Sequence, residues 1–131
     1  MHKKFLVIAS LLGGLSVALG AFAAHSLKAI VSADILQIFE TAVKYQVYHV
    51  LALLATGILL PQFPVKRLRW AGNLFIAGII LFSGSLYFLC YIKHQQIAAN
   101  WVGAITPFGG LCFIAGWILL AVGIARKSTM A

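Results

Sequence analysis

The sequence predicts an all-α integral membrane protein: a four-helix bundle with antiparallel neighbours and both termini cytoplasmic. Three observations lead there. Of the 131 residues, 63% are hydrophobic and only 9% charged. A soluble domain carries roughly 25% charged residues, so the bilayer must act as solvent. Lipid permits only helices or closed barrels, because each backbone polar group needs a partner within the protein. Barrel strands alternate apolar and polar residues over about ten positions. Here the apolar runs are nearly continuous and long enough for spanning helices of about 20 residues. The charge is also placed tellingly. Lys3 and Lys4, then Lys66, Arg67 and Arg69, then Arg126 and Lys127 all flank apolar runs, as basic residues do on the cytoplasmic side.

The first helix is expected over about residues 5–24, after the basic "HKK". The same stretch has the features of a signal peptide, with an Ala21-Phe22-Ala23 exit. Its apolar run reaches the upper limit for such signals and its glycines suit packing, so a retained helix is expected. The second helix should cover about 33–60, with Ser32 or Asp34 as cap and Pro61 as stop. The third is expected over about 68–92. The fourth is expected over about 107–125, with Thr106 capping and Pro107 in the first turn. Together they make residues 1–131 one transmembrane domain. Short loops imply antiparallel neighbours, and Trp70, Tyr91 and Trp101 fall at the water interfaces, as an aromatic belt requires. Apart from the flanking residues, Lys28 and Lys93 lie in the other two loops and Lys44 lies inside the second helix.

Several function classes fall away. A net charge of +8 would suit nucleic acid, but the basic flanks account for it, and no nucleic-acid partner is expected. Cys90 and Cys112 lie inside apolar runs, where free thiols act as small apolar groups. Neither has metal-ligand or redox spacing, so no metal and no cofactor are expected. No G-x-S-x-G, H-E-x-x-H or phosphate loop occurs, so no catalytic residue is assigned and no enzyme is expected.

Small residues fall into register. Gly13 and Gly20 are seven apart in the first helix, and Gly109, Gly116 and Gly123 are seven apart in the fourth; "GGL" opens both series. Such stripes let helices approach closely in lipid. The expectation is helix packing at Gly13, Gly20, Gly109 and Gly116; a glycine-lined ligand crevice is the alternative.

The stretch "FETAVKYQVYHVLALLATGILLP", Phe39 to Pro61, holds the functional candidates. If Leu60 marks the cytoplasmic edge, a rise of about 1.5 Å per residue puts His49 roughly 16 Å deep, near the middle of a core about 30 Å thick. Glu40, Lys44 and Tyr48 form one stripe; Thr41, Tyr45, His49 and Thr56 form a second. A lone charge facing lipid is costly. Glu40, Lys44 and His49 are therefore expected to form a polar ladder enclosed by the first and third helices. His25, Tyr45, Ser83 and Tyr87 are its expected neighbours in a ligand-binding site. The alternative is a solvated Glu–Lys pair plus one histidine in a packing hydrogen bond. Trp117 is expected only to pack.

At these residues the sequence resembles a known family. "ALGAFAAHSL", "FETAVKYQVYHVLALL", "LFSGSLY" and "GAITPFGGLCFIAGW" resemble the motifs of the domain-of-unknown-function 423 family, small bacterial inner-membrane proteins similar to transmembrane protein 256. The match covers almost the whole chain in order and spacing, although Ala23 stands where the family has a glycine. It implies a multi-pass, four-helix protein of the bacterial cytoplasmic (inner) membrane and brings no activity with it. The leading expectation is a binding or permeation module for a small solute, a proton or a lipid head group. The alternative is a structural or regulatory subunit that packs against other membrane proteins through its glycine-rich faces. Lipid is then the first partner, with a second copy or a larger membrane protein beside it. A polar cavity open to one side would favour the module; a sealed core and a small-residue face on the exterior would favour the subunit.

Overall fold

The computed structural model describes residues 2–63 and 66–126. Lys127, counted above among the basic flanks, lies outside the described residues. Four helices are long and apolar enough to cross a membrane, and the described residues contain no strand. They are α1 (His2–Ala24), α2 (Ala33–Leu59), α3 (Lys66–His94) and α4 (Trp101–Ala125).

Local chemistry sets most of the ends. After α1, a short 3-10 turn over Leu27–Ala29 leads to Ser32, whose Oγ accepts the Ile35 N–H at 3.4 Å and caps α2. At the end of α3 the Gln96 N–H reaches the Lys93 carbonyl and the Ile97 N–H reaches the Ile92 carbonyl. That closure needs a left-handed residue, and Gln96 adopts it at φ 57°. Glycine would take this conformation without steric cost.

Two features depart from the expectation. The fourth helix begins at Trp101, not at Pro107, and carries Pro107 inside it. Proline withholds the N–H that would bond the carbonyl four residues earlier. Membrane helices tolerate this where neighbours satisfy the freed groups, and here that carbonyl belongs to the side-chain-free Gly103. Thr106 is consequently not a cap; its Oγ1 lies 2.7 Å from the Ser85 Oγ on α3. The second departure is that α3 is interrupted. It is α-helical over Lys66–Gly78 and Ser85–His94, with a π-helical segment at Ile79–Gly84 between them.

Close backbone approaches join α1 to α2, α2 to α3 and α3 to α4. Facing residues show that each pair is antiparallel. Leu6, Gly13 and Gly20 on α1 meet Gly57, Val50 and Val43 on α2. Phe75, Gly78 and Phe82 on α3 meet Gly116, Phe113 and Gly109 on α4. Numbers rise on one helix as they fall on the other. The main core gathers Phe5, Leu53, Leu68, Phe75 and Phe113, and a smaller one joins Ala23, Leu27, Phe39 and Cys90 at the opposite end. Of the four helices, α2 and α3 are the most buried and α1 the least.

Candidate functional site

The buried face of α2 carries Phe39, Ala42, Gln46, His49, Leu53 and Thr56, a three-four spacing that winds with the helix. Gln46 and His49 are therefore drawn inside although both are polar. Gln46 is only 2% exposed. Its Oε1 accepts the Tyr87 O–H from α3 at 2.8 Å, and its Nε2 donates to the Ser16 Oγ on α1 at 2.9 Å. The same Nε2 reaches the Leu12 carbonyl at 3.4 Å, to which Ser16 Oγ also donates at 2.8 Å. One chain of hydrogen bonds thus crosses three helices. Ser83, fully buried, donates to the Ala42 carbonyl at 2.7 Å, tying the π segment of α3 to α2. Ser83 lies inside that segment, a geometry often found at functional sites.

His49 forms a second polar node. Its Nδ1 is 2.7 Å from the Tyr45 carbonyl, and its Nε2 is 3.1 Å from the Trp117 indole nitrogen on α4. A carbonyl only accepts and an indole N–H only donates. Nδ1 therefore carries the proton, and Nε2 accepts from Trp117. The Phe113 ring stacks on the imidazole with centroids 3.4 Å apart. Both nitrogens are occupied, and among the described residues no buried side-chain nitrogen or oxygen lacks a hydrogen-bond partner.

The structure brings together only part of the expected site. His49, Ser83 and Tyr87 lie in or beside the interior, and Tyr45 contributes its carbonyl while its ring packs on Phe82 at 4.6 Å. Glu40, Lys44 and His25 are exposed. The enclosed ladder is therefore not formed: the stripe of Glu40, Lys44 and Tyr48 faces outward, and no hydrogen bond or ion pair joins Glu40 to Lys44. Depth along the axis placed these residues, but azimuth decides which way they point. Gln46 and Ser16 are the partners that sequence reasoning left unassigned, and Trp117, expected only to pack, is a hydrogen-bond donor to His49. The three-four spacing through Gln46 and His49 was the available signal.

Two hollows flank these nodes. A shallow groove of about 480 Å³ runs between α2 and α4, lined by Tyr48, His49, Leu51, Ala52, Ala55 and Trp117. A half-enclosed pocket of about 220 Å³ lies at the other end of α2. Both have almost wholly apolar linings. No cluster of His, Cys, Asp and Glu that could hold a metal occurs among the described residues.

The glycines divide into two groups. A methyl group on Gly109 would overlap the Phe82 backbone, and one on Gly116 would lie 2.7 Å from Phe75. The same addition would meet Val50 at 3.6 Å from Gly13, and Val43 at 3.8 Å from Gly20, both ordinary contact distances. Gly72 and Gly78, not singled out from the sequence, press on the rings of Phe5 and Phe113.

Four apolar spanning helices around a self-satisfied polar interior define an integral membrane protein. The chain belongs to the family described as "Protein of unknown function (DUF423)", whose model matches residues 19–110. The UPF0382 membrane protein of Staphylococcus saprophyticus is 42% identical over 121 residues, covering 92% of this chain and 96% of its own. The UPF0382 membrane protein YwdK of Bacillus subtilis is 39% identical over 95% of this chain and 98% of its own. A UPF0382 membrane protein of Haemophilus influenzae is 39% identical over 99% of this chain and all of its own length. No solved structure matches the chain.

Proposed function

We propose that the protein is a non-enzymatic subunit of the cytoplasmic membrane that associates side by side with a transmembrane helix of a partner protein, through the outward face of α1. The observation that carries this reading is Gly14. Glycine inside a helix costs about 1 kcal/mol relative to alanine, and among the described residues a Cβ at Gly14 would meet nothing within 4 Å. The packing of this bundle gives no reason for it. Ser10, Gly14 and Ala18 are exposed at every fourth position of α1, the spacing that lets a second backbone approach in lipid. Ser10 already bonds the Leu6 carbonyl at 2.8 Å, so the face carries no unmet polar demand. The interior, by contrast, offers a solute little: among the described residues its buried side-chain nitrogens and oxygens are paired, and the two hollows beside them are apolar.

The test is photo-crosslinking from Val17, which is 75% exposed beside this face, in intact membranes. A specific crosslinked protein is expected, and Gly14→Ile should remove it while thermal stability in detergent stays unchanged. A self-crosslink would identify the partner as a second copy. An undiminished crosslink in Gly14→Ile would remove the reading.

A further inference from the structure

The half-enclosed pocket lies at the end of the bundle where α1 turns into α2 and α3 ends. Its walls include Phe22 from α1, Phe39 from α2, and Tyr87, Cys90, Tyr91 and His94 from α3, and the α1–α2 turn covers part of it. Depth follows from the helix: Ile35, also in the wall, is roughly 20 Å along the axis from His49 at about 1.5 Å per residue. With His49 near the midplane, the pocket sits at the edge of the hydrocarbon.

Its polarity changes along its length. The inner wall is rings and aliphatic groups; Tyr87 has its hydroxyl committed to Gln46 and Cys90 its thiol to the Ile35 carbonyl at 3.5 Å. The mouth is different. His94 lines it and is exposed, and Lys93, the residue before it in the last turn of α3, is exposed as well. Lys93 and His94 both end α3, at the level where chain and head group of a lipid meet. An apolar slot with positive charge at its interfacial mouth matches a molecule with an apolar tail and an anionic head.

We propose that this pocket seats one acyl chain of an anionic phospholipid, whose phosphate lies against Lys93 and His94. The chain supplies the fit to the aromatic walls. The charge supplies the choice among lipids, since one basic residue at a membrane surface favours an anionic lipid by roughly fivefold.

The test uses the full chain in detergent, titrated with phosphatidylglycerol or phosphatidylcholine and followed by native mass spectrometry and thermal unfolding. Phosphatidylglycerol should bind about fivefold or more tightly than phosphatidylcholine and raise Tm, as any ligand selective for the folded state does. Lys93→Gln/His94→Gln should abolish that preference while leaving Tm without lipid unchanged. Ile30→Trp, on the exposed turn that lines the pocket, should block both lipids without disturbing the core. Equal binding of the two lipids would overturn the proposal. So would a preference that survives the double variant, binding that survives Ile30→Trp, or an equal Tm rise from inorganic phosphate alone. None of these readouts involves the α1 face, so the subunit reading stands or falls separately.

Discussion

Between α3 and α4, glycine makes room for aromatic rings: Phe113 fills the space at Gly78, Phe75 that at Gly116, and Gly109 lies against the backbone at Phe82. Between α1 and α2, Gly13 and Gly20 leave ordinary van der Waals contact at Val50 and Val43, although Gly57 on α2 is pressed close by the Leu6 side chain. There the polar clasp from Gln46 to Ser16 and Leu12 adds a tie of another kind. The two stretches start with the same "GGL" and place the next glycine at the same distance. Identical spacing thus serves shape at one interface and leaves slack at the other. What separates them is the facing group: a flat ring or bare main chain can enter the notch of a missing side chain, whereas valine meets it at normal distance.

The largest effect should come from Gly109→Ala. Its methyl group would strike a main-chain nitrogen on a neighbouring helix, which no rotamer change relieves, so a loss of about 3 kcal/mol is expected, at the upper end of overpacking costs. Thermal unfolding in detergent measures it; an unchanged Tm would mean that α3 and α4 are not packed this closely.

Gln46→Leu should follow. It leaves the Tyr87 hydroxyl without its acceptor, and an orphaned buried group costs about 1–3 kcal/mol. Adding Tyr87→Phe should recover part of that loss, because the orphan is then removed. If the double variant is as damaged as the sum of the singles, the clasp does not couple α2 to α3.

Gly20→Ala should be the mildest and opposite in sign. Ordinary contact at Val43 accepts the methyl group, and the helix gains about 0.5–1 kcal/mol from the better former. A Tm drop as large as that of Gly109→Ala would erase the contrast between the interfaces.

The membrane class and the four spans were legible because composition and charge placement act over whole segments. The start of α4 was misread because Pro107 suits a first turn, and nothing local says that a membrane helix will run through it. No residue in "IILFSG" announces a π segment. For the site, depth arithmetic located Glu40, Lys44 and His49 along α2 but left rotation undetermined, so one stripe was turned inward that faces out. Following Phe39, Ala42, Gln46, His49, Leu53 and Thr56 fixes the rotation from spacing alone. Trp117 as a donor to His49 was beyond reach, since it depends on how α4 is placed against α2.

The interruption in α3 also gives the span a spare residue. A π segment bonds each N–H to the carbonyl five residues earlier, so its turn holds one residue more than an α-helical turn does. Removing one residue within Ile79–Gly84 would let that turn close as an α-helix, and Tyr87 and Cys90 would still face Gln46 and Ile35 while Phe75 and Gly78 kept their places against α4. The segment is an extra link in a chain, one that can be taken out with both ends still on their hooks.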